Sequence, residues 1–449
     1  MANIASTVAR IKCDPTSVLK GSVVETICRE LGYSWRQREL DPATTVGLFI
    51  QQIVHGNVPC SELRHLVHKD FTGSAYCQAR QRLPLTVLLK LSQQLQQAVA
   101  PQADALALRW HGHRTWHIDG SSFSMSDTEE LREYFGLPSG QREGCGFPTA
   151  HLLVLFDAHS GMLGELIPSP RRTGDLQHTP DCHRHLEAGD ILIGDDCFGS
   201  YAHIALLLRG KEHSLFPLHH ARTVSFRPHR PYVPEGKPNP KGLPHTRWMK
   251  SLGWQDQIVE WFKPALCPKW MNAADYATLP ESILVRELRR TVHLKGRRSV
   301  TVTIVTTLLE AQKYPVQELV QLRMRRWDVE TNIGHLKTTM KMDVLRCQSV
   351  LGVKKELAVF QLVYNLVRAV MLEAASRQSV PVDRVSFSDT LKWLRHARPA
   401  ERLPVLLVNP YRPERIEPRA VKRRPKEYDR LTKPRRELRK SLENQHRKV

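Results

Sequence analysis

The chain has 449 residues, with 66 Lys and Arg against 45 Asp and Glu, a formal charge of +21 at neutral pH. That length suits two or three domains, and the cationic excess favours a polyanionic partner, nucleic acid first. No apolar run reaches the roughly 18 residues that span a bilayer, and the N-terminus lacks the charged and apolar regions of a secretory signal, so a cytoplasmic chain with no membrane partner is expected.

Residues 1–110 read as helices. Val23–Leu31, Val46–His55 and Leu83–Ala98 have helical apolar spacing and are separated by glycine-containing breaks. From about 113 the texture changes to strands. Arg114–Asp119 is a short strand that ends on an acid before Gly120. Ala150–Phe156 is a nearly continuous apolar strand, Asp157–Gly161 a hairpin turn, and Met162–Ile167 the returning strand. A helix is expected near Gln177–Leu186. Asp190–Asp195 is another strand that ends on an acid, followed by a helix over Tyr201–Arg209 and a strand from His213. Three strands, helix, strand, helix, strand is an α/β pattern with a mixed sheet that opens on a β-meander.

Residues 222–247 are rich in Pro and cations and read as loop. Gln257–Lys263, Ser282–Leu288 and Val300–Thr306 read as strands of a β-rich insertion. The basic Leu288–Arg298 segment suits either a hairpin over DNA or a solvated edge strand. Leu357–Ala375 is apolar enough to be a buried helix. The segment 411–449 holds 15 Lys and Arg against 6 Asp and Glu, a composition that does not fold by itself and suits non-specific phosphate contact.

The nine cysteines are scattered and no Cys-x-x-Cys occurs, so neither a disulfide framework nor a zinc ribbon is indicated. Asp181-Cys182-His183-Arg184-His185 lacks a second ligand pair at metal-site spacing and reads as polar loop chemistry.

Arg323–Lys337 is the most informative stretch. Read as one helix, it gathers Arg323, Arg326, Glu330 and Lys337 on one side. Leu322, Val329, Ile333, Leu336 and Met340 form an apolar stripe beside them. The plain alternative is an ordinary i,i+4 pair of Arg326 with Glu330, contributing a few tenths of a kcal/mol. A carboxylate among cations is also what a site for metal and phosphate requires. Asp119 and Asp195 end strands, and adjacent strands would bring them together at one sheet edge. Three close carboxylates repel one another unless a cation compensates, and two divalent ions about 4 Å apart serve phosphodiester cleavage. Each acid has a competitor. Asp119 could cap a turn before Gly120. Asp196 rivals Asp195, although the alternation from Ile191 and Ile193 favours Asp195. Asp157 and Asp175 sit in apparent turns.

Together these residues resemble the bacterial insertion-sequence DDE transposases of the Tyr-Arg-Glu-Lys signature group, the insertion-sequence-four type. The likeness covers about 113–375, with a weaker one over Ser74–Pro84. It implies an RNase H-like mixed-sheet catalytic core interrupted by a β-rich insertion, a helical N-terminal domain and a basic C-terminal tail. The corresponding division is 1–110 for the DNA-binding helices, 111–220 and 303–375 for the core, 221–302 for the insertion and 376–449 for the C-terminal region. By the same resemblance Asp119, Asp195 and Glu330 are catalytic and hold two Mg²⁺ ions, with Mn²⁺ able to substitute. Arg323, Arg326, Trp327 and Lys337 contact DNA.

The implied activity is cut-and-paste transposition. A homodimer binds terminal inverted repeats, cleaves at the element ends and joins 3′-OH ends to target DNA, in the cytoplasm and on the nucleoid. Two departures stand out: Arg323 occupies the signature Tyr position, and Asp196 stands where the family has Arg. A metal-dependent nuclease without strand transfer, or a DNA-binding regulator that does not cleave, would share most of these features.

Overall fold

The structure is a computed structural model that describes residues 19–446, apart from 68–69, 139–141, 143, 235, 294–298, 398–401 and 411–432. The apolar runs after residue 113 form β1 (Thr115–Ser124), β2 (Thr149–Asp157), β3 (Leu163–Pro170), β4 (Ile191–Ile193) and β5 (His213–Pro217). β1, β2 and β3 are a meander of antiparallel pairs. β4 then pairs parallel with β1, and β5 parallel with β4. Parallel pairing needs crossovers. Short helical turns over 175–183 supply the first, and a helix over Tyr201–Gly210 the second. This is the mixed, RNase H-like arrangement expected.

Four further strands continue the sheet: β6 (Thr246–Gly253), β7 (Asp256–Phe262), β8 (Ser282–Val292) and β9 (Val300–Thr306). The order is β3-β2-β1-β4-β5-β9-β8-β7-β6. The inserted strands therefore join the core through β9, whose Ile304–Thr306 pairs antiparallel with Leu215–Pro217 of β5. Residues 246–247, expected as loop, begin β6. This edge strand is exposed along most of its length and so lacks the apolar alternation that marks a strand. Of the basic Leu288–Arg298 segment, residues to Val292 lie in β8, and 294–298 fall outside the described residues.

Alternation on the strands divides the core in two. Phe123, Leu152, Val154 and Phe156 pack on one face with the helices. Trp116, Ile118, Leu153 and Leu155 pack on the other, against Ile204 and Leu207. The N-terminal part is helical as expected, over Gly21–Glu30, Pro42–Val54, Cys60–Val67, Gly73–Arg82 and Leu85–Leu106.

The centre of the helical layer is Val350–Gln378, 29 residues long and capped by Ser349 on the Gly352 amide. By length and composition it is apolar enough to cross a membrane, yet it is buried here within the protein. Its polar side chains have defined partners. Asn365 takes both the amide and the carbonyl of Leu163, and Arg368 donates to the Gly161 carbonyl and to Asn332. Gly161 has φ +66°, and a Cβ there would overlap the Arg368 guanidinium.

Several helices were not foreseen, Ala273–Ala277 and Phe387–His396 among them. Glu129–Phe135, capped by Thr128, lies between β1 and β2. Arg435–His446 is a helix within the tail expected not to fold by itself. Arg435 anchors it by donating to the Gly146 carbonyl and to Asp127. Residues 411–432 and 447–449 of that tail lie outside the described residues.

Candidate active site

Asp119 sits within β1, which continues past Gly120 to Ser124 where the sequence suggested an end, and its neighbour across the parallel edge is β4. The register pairs His117 with Ile193. Two residues further along each chain stand Asp119 and Asp195. Period-two alternation sends both to the face that carries Ile191 and Ile193. Asp195 leaves the strand with φ −87° and ψ −173°, and its Oδ1 accepts the Cys197 amide at 3.0 Å. One carboxylate oxygen thus caps the turn Asp196–Phe198. Gly194 permits this exit, because a Cβ there would crowd Phe198 and Ile118.

The segment bearing Glu330 differs from expectation. Instead of one helix, Val316–Met324 and Trp327–Gly334 are separate α-helices, and His335–Thr339 is a π-helical turn. At the junction, Arg326, Asp328 and Val329 donate to carbonyls three residues back. These tight turns rotate Arg326 away from the register of a regular helix. The apolar stripe still packs inward: Leu322, Val329, Leu336 and Met340 are buried, and Ile333 is partly so.

Arg326 is the hub. Its Nη1 donates to Asp119 Oδ2 at 3.1 Å and its Nη2 to Glu330 Oε1 at 3.0 Å. A single guanidinium therefore joins the strand acid to the helix acid. Asp119 also accepts its neighbouring Gly120 amide at 2.8 Å. Burial pushes the Asp119 carboxyl up to about 6; Arg326 opposes the rise, and Asp195 and Glu330 add to it. Two carboxylates thus act on a third that is already half desolvated.

Arg323 lies beneath. Burial, then repulsion from Arg326, lowers it to about 10, while Asp195, Asp119 and Asp196 attract it. Its Nε has no hydrogen-bond partner among the described residues. Lys337, brought round by the π turn, reaches Ser121 Oγ on β1 at 3.4 Å. Trp327 is 55 % exposed, with the Arg326 guanidinium 5.5 Å from its ring centroid. All seven expected site residues gather around one sheet edge. Glu330 remains the most open of the acids, at 45 % side-chain exposure.

The donor set suits divalent cations in kind, although the three carboxylates do not each bring an oxygen within 4.8 Å of the other two. Three carboxylates supply hard oxygen ligands, and the Arg326 guanidinium stands in for a cation between two of them. Asp119, Asp195 and Glu330 are residues that could hold a metal ion.

Sequence reasoning did not find the ion pair behind Gly120. Asp175 accepts from His151 of β2 and from the Cys197 thiol at 3.5 Å. A Cβ on Gly120 would overlap this pair. The only signal in the sequence was the glycine after Asp119. Asp157 has a structural role: it takes Arg114, Ser160 and the His159 amide, and so closes the β2–β3 turn. The Asp181–His185 cluster is dispersed. His183 bonds His203, and Arg184 and His185 bond Glu165.

Comparison with known proteins gives three findings. The family described as the transposase DDE domain matches residues 110–366. Transposase InsG for insertion sequence element IS4 from Escherichia coli (strain K12) is 30 % identical over 217 residues, 41 % of this chain and 46 % of that protein. The match thus spans less than half the length of this relative. Among solved structures, the piggyBac transposase synaptic complex with hairpin DNA aligns over 86 % of this chain and 80 % of that one, at 10 % identity and a TM-score of 0.43.

Proposed function

The chain belongs to the transposase DDE domain family, and from that premise we propose that it is the transposase of an insertion sequence that moves by cut and paste. The observation that carries this reading is the Arg326 bridge between Asp119 and Glu330, beside Asp195 on the adjacent parallel strand. A polar edge of this kind serves a polyanionic substrate held against hard-cation ligands.

In this reading Asp119, Asp195 and Glu330 hold two Mg²⁺ ions, for which Mn²⁺ can substitute. Such ions, when bound, activate the attacking oxygen and stabilise the leaving one. Arg326 and Lys337 grip the phosphates on either side of the cleaved bond. Arg323, attracted by Asp195, Asp119 and Asp196, supplies a further cation where the signature group has Tyr. Trp327 offers an aromatic face to a base at the element end.

Hydrolysis forms a bond from water oxygen to phosphorus and breaks the bond from phosphorus to the 3′ oxygen, leaving a 3′-OH and a 5′-phosphate. The freed 3′ oxygen then attacks a target phosphodiester, displacing that strand's own 3′ oxygen. The protein's task is alignment and charge neutralisation. Helices of residues 1–110 and the basic region after 376 add affinity for the terminal inverted repeats. A homodimer pairs the two ends, and the action takes place in the cytoplasm on chromosomal or plasmid DNA.

The test is a supercoiled plasmid carrying the DNA that natively flanks this gene, incubated with the protein and Mg²⁺ or EDTA, with product ends mapped. Metal-dependent cuts at inverted repeats with joined products support transposition. Cuts without joining indicate a nuclease, and binding without cuts a regulator.

A further inference from the structure

Asp196 takes no part in the carboxylate set, and it stands where the resembled family has a cation. It opens the turn Asp196–Phe198, which sets it beside the loop that leaves β5. There His219 and His220 follow Leu218. One potential ligand atom from each of Asp196, His219 and His220 lies within 4.8 Å of the other two, and no second His, Cys, Asp or Glu trio of this kind occurs among the described residues. The His220 Nδ1 is 3.9 Å from Asp196 Oδ2. The two imidazoles lie with ring centroids 4.2 Å apart and planes at 32°. Beside them opens a cavity of about 260 Å³, lined in part by Asp196, Cys197 and His219.

The chemistry of this trio differs from that of the catalytic edge. Mg²⁺ prefers oxygen ligands and sheds water reluctantly. Two imidazoles with one carboxylate suit borderline cations, of which Zn²⁺ is the commonest, with water completing the shell. The Asp196 and His220 side chains are 43 % and 84 % exposed, so rotation can bring their atoms to coordination distance without moving the core. His219 Nδ1 accepts the Ala221 amide at 3.2 Å, and ligation costs that one exposed bond.

We propose that Asp196, His219 and His220 form a second cation site, of zinc type, separate from Asp119, Asp195 and Glu330. A cation there ties the turn capped by Asp195 to the exit of β5. The site gives Asp196 a role beside, and not within, the carboxylate set. It does not depend on the chain being a transposase.

The experiment uses the full chain in excess Mg²⁺. Co²⁺ is the spectroscopic probe and Zn²⁺ is titrated by calorimetry. The wild type should take up one equivalent of Co²⁺ with the visible band of an imidazole-bound ion, and Zn²⁺ should displace it. His219→Ala, His220→Ala and the near-isosteric Asp196→Asn should each weaken uptake by about tenfold or more, since even outer-shell partners count on that scale. Thermal melts of the metal-free variants verify that they fold. Glu330→Gln should keep the band. The proposal is overturned if uptake survives both histidine variants. It is equally overturned if the band vanishes with Glu330→Gln, which places the ion on the catalytic carboxylates, or if the wild type takes up Zn²⁺ no more tightly than the variants.

Discussion

Arg326 holds Asp119 at 3.1 Å while the same guanidinium holds Glu330 at 3.0 Å, so one cation spans a strand and a helix. Its removal separates two roles. In Arg326→Gln the burial of Asp119 and its repulsion by Asp195 and Glu330 are opposed only by the Gly120 amide, so the Asp119 carboxyl rises above its present value of about 6. DNA cleavage should fall by about 10²–10³, the scale of losing a preorganised donor. Mn²⁺ binding should be no weaker than in the wild type, because a competing cation has gone. Cleavage rates and Mn²⁺ titrations on one preparation check this, and parallel loss of both would make Arg326 a scaffold for the metal ligands.

Lys337 reaches β1 only through its π turn, ending on Ser121 Oγ. If it neutralises a phosphate, Lys337→Ala should weaken binding to end DNA of any sequence. It should also reduce the salt slope of log K by about 1. Binding measured across a range of KCl concentrations decides it; an unchanged slope would restrict Lys337 to holding Ser121.

Asp119 and Asp195 were legible because alternation and an acid before glycine are local features, but the strand end expected at Asp119 was not there: β1 runs on through Gly120 to Ser124. The pairing that makes them neighbours, β1 with β4, was left open by the sequence, which said only what adjacent strands would do. The join of β9 to β5 was not legible, since it links Leu215–Pro217 with Ile304–Thr306 across the whole insertion. Nor was the break at Arg325–Arg326. Nothing in Arg323-Met-Arg-Arg-Trp interrupts helical spacing. The Asp175–His151 pair lay hidden because its halves are 24 positions apart and meet only through Gly120.

Gly120 should therefore tolerate no side chain. Gly120→Ala places a methyl group on Asp175 and His151, and overpacking of this kind costs about 1–3 kcal/mol. Denaturant unfolding would register it as a lower midpoint. An unaltered midpoint would mean that the ion pair moves aside freely.

Half-buried His183 and fully buried His203 form a pair behind the Asp195 turn. Nε2 of one meets Nε2 of the other at 3.0 Å, and His203 Nδ1 donates to the Phe198 carbonyl at 2.8 Å. Burial lowers them to about 4 and about 3, with Arg209 and the neighbouring His adding to the effect. Both are neutral when folded, whereas the unfolded chain protonates them below the ordinary histidine value near 6.5. Their contribution is complete above pH 6.5 and is lost as pH falls toward 4 and 3, at about 1.4 kcal/mol per pH unit for each group. His183→Phe keeps the ring and removes one titrating group, so its stability should fall less steeply between pH 6.5 and 4.5. Urea midpoints over that range check this; an identical slope would show that His183 is already protonated in the folded protein.

The most direct test of the three-acid site compares Asp119→Asn, Asp195→Asn, Glu330→Gln and Asp196→Asn with the wild type. The substrate is end DNA in Mg²⁺, with binding and cleavage measured separately. The account predicts that the first three each still bind DNA and lose cleavage by about 10³ or more, as members of one catalytic unit do. Cleavage that survives in any of the three, or that is lost in Asp196→Asn but kept in Asp195→Asn, would contradict it.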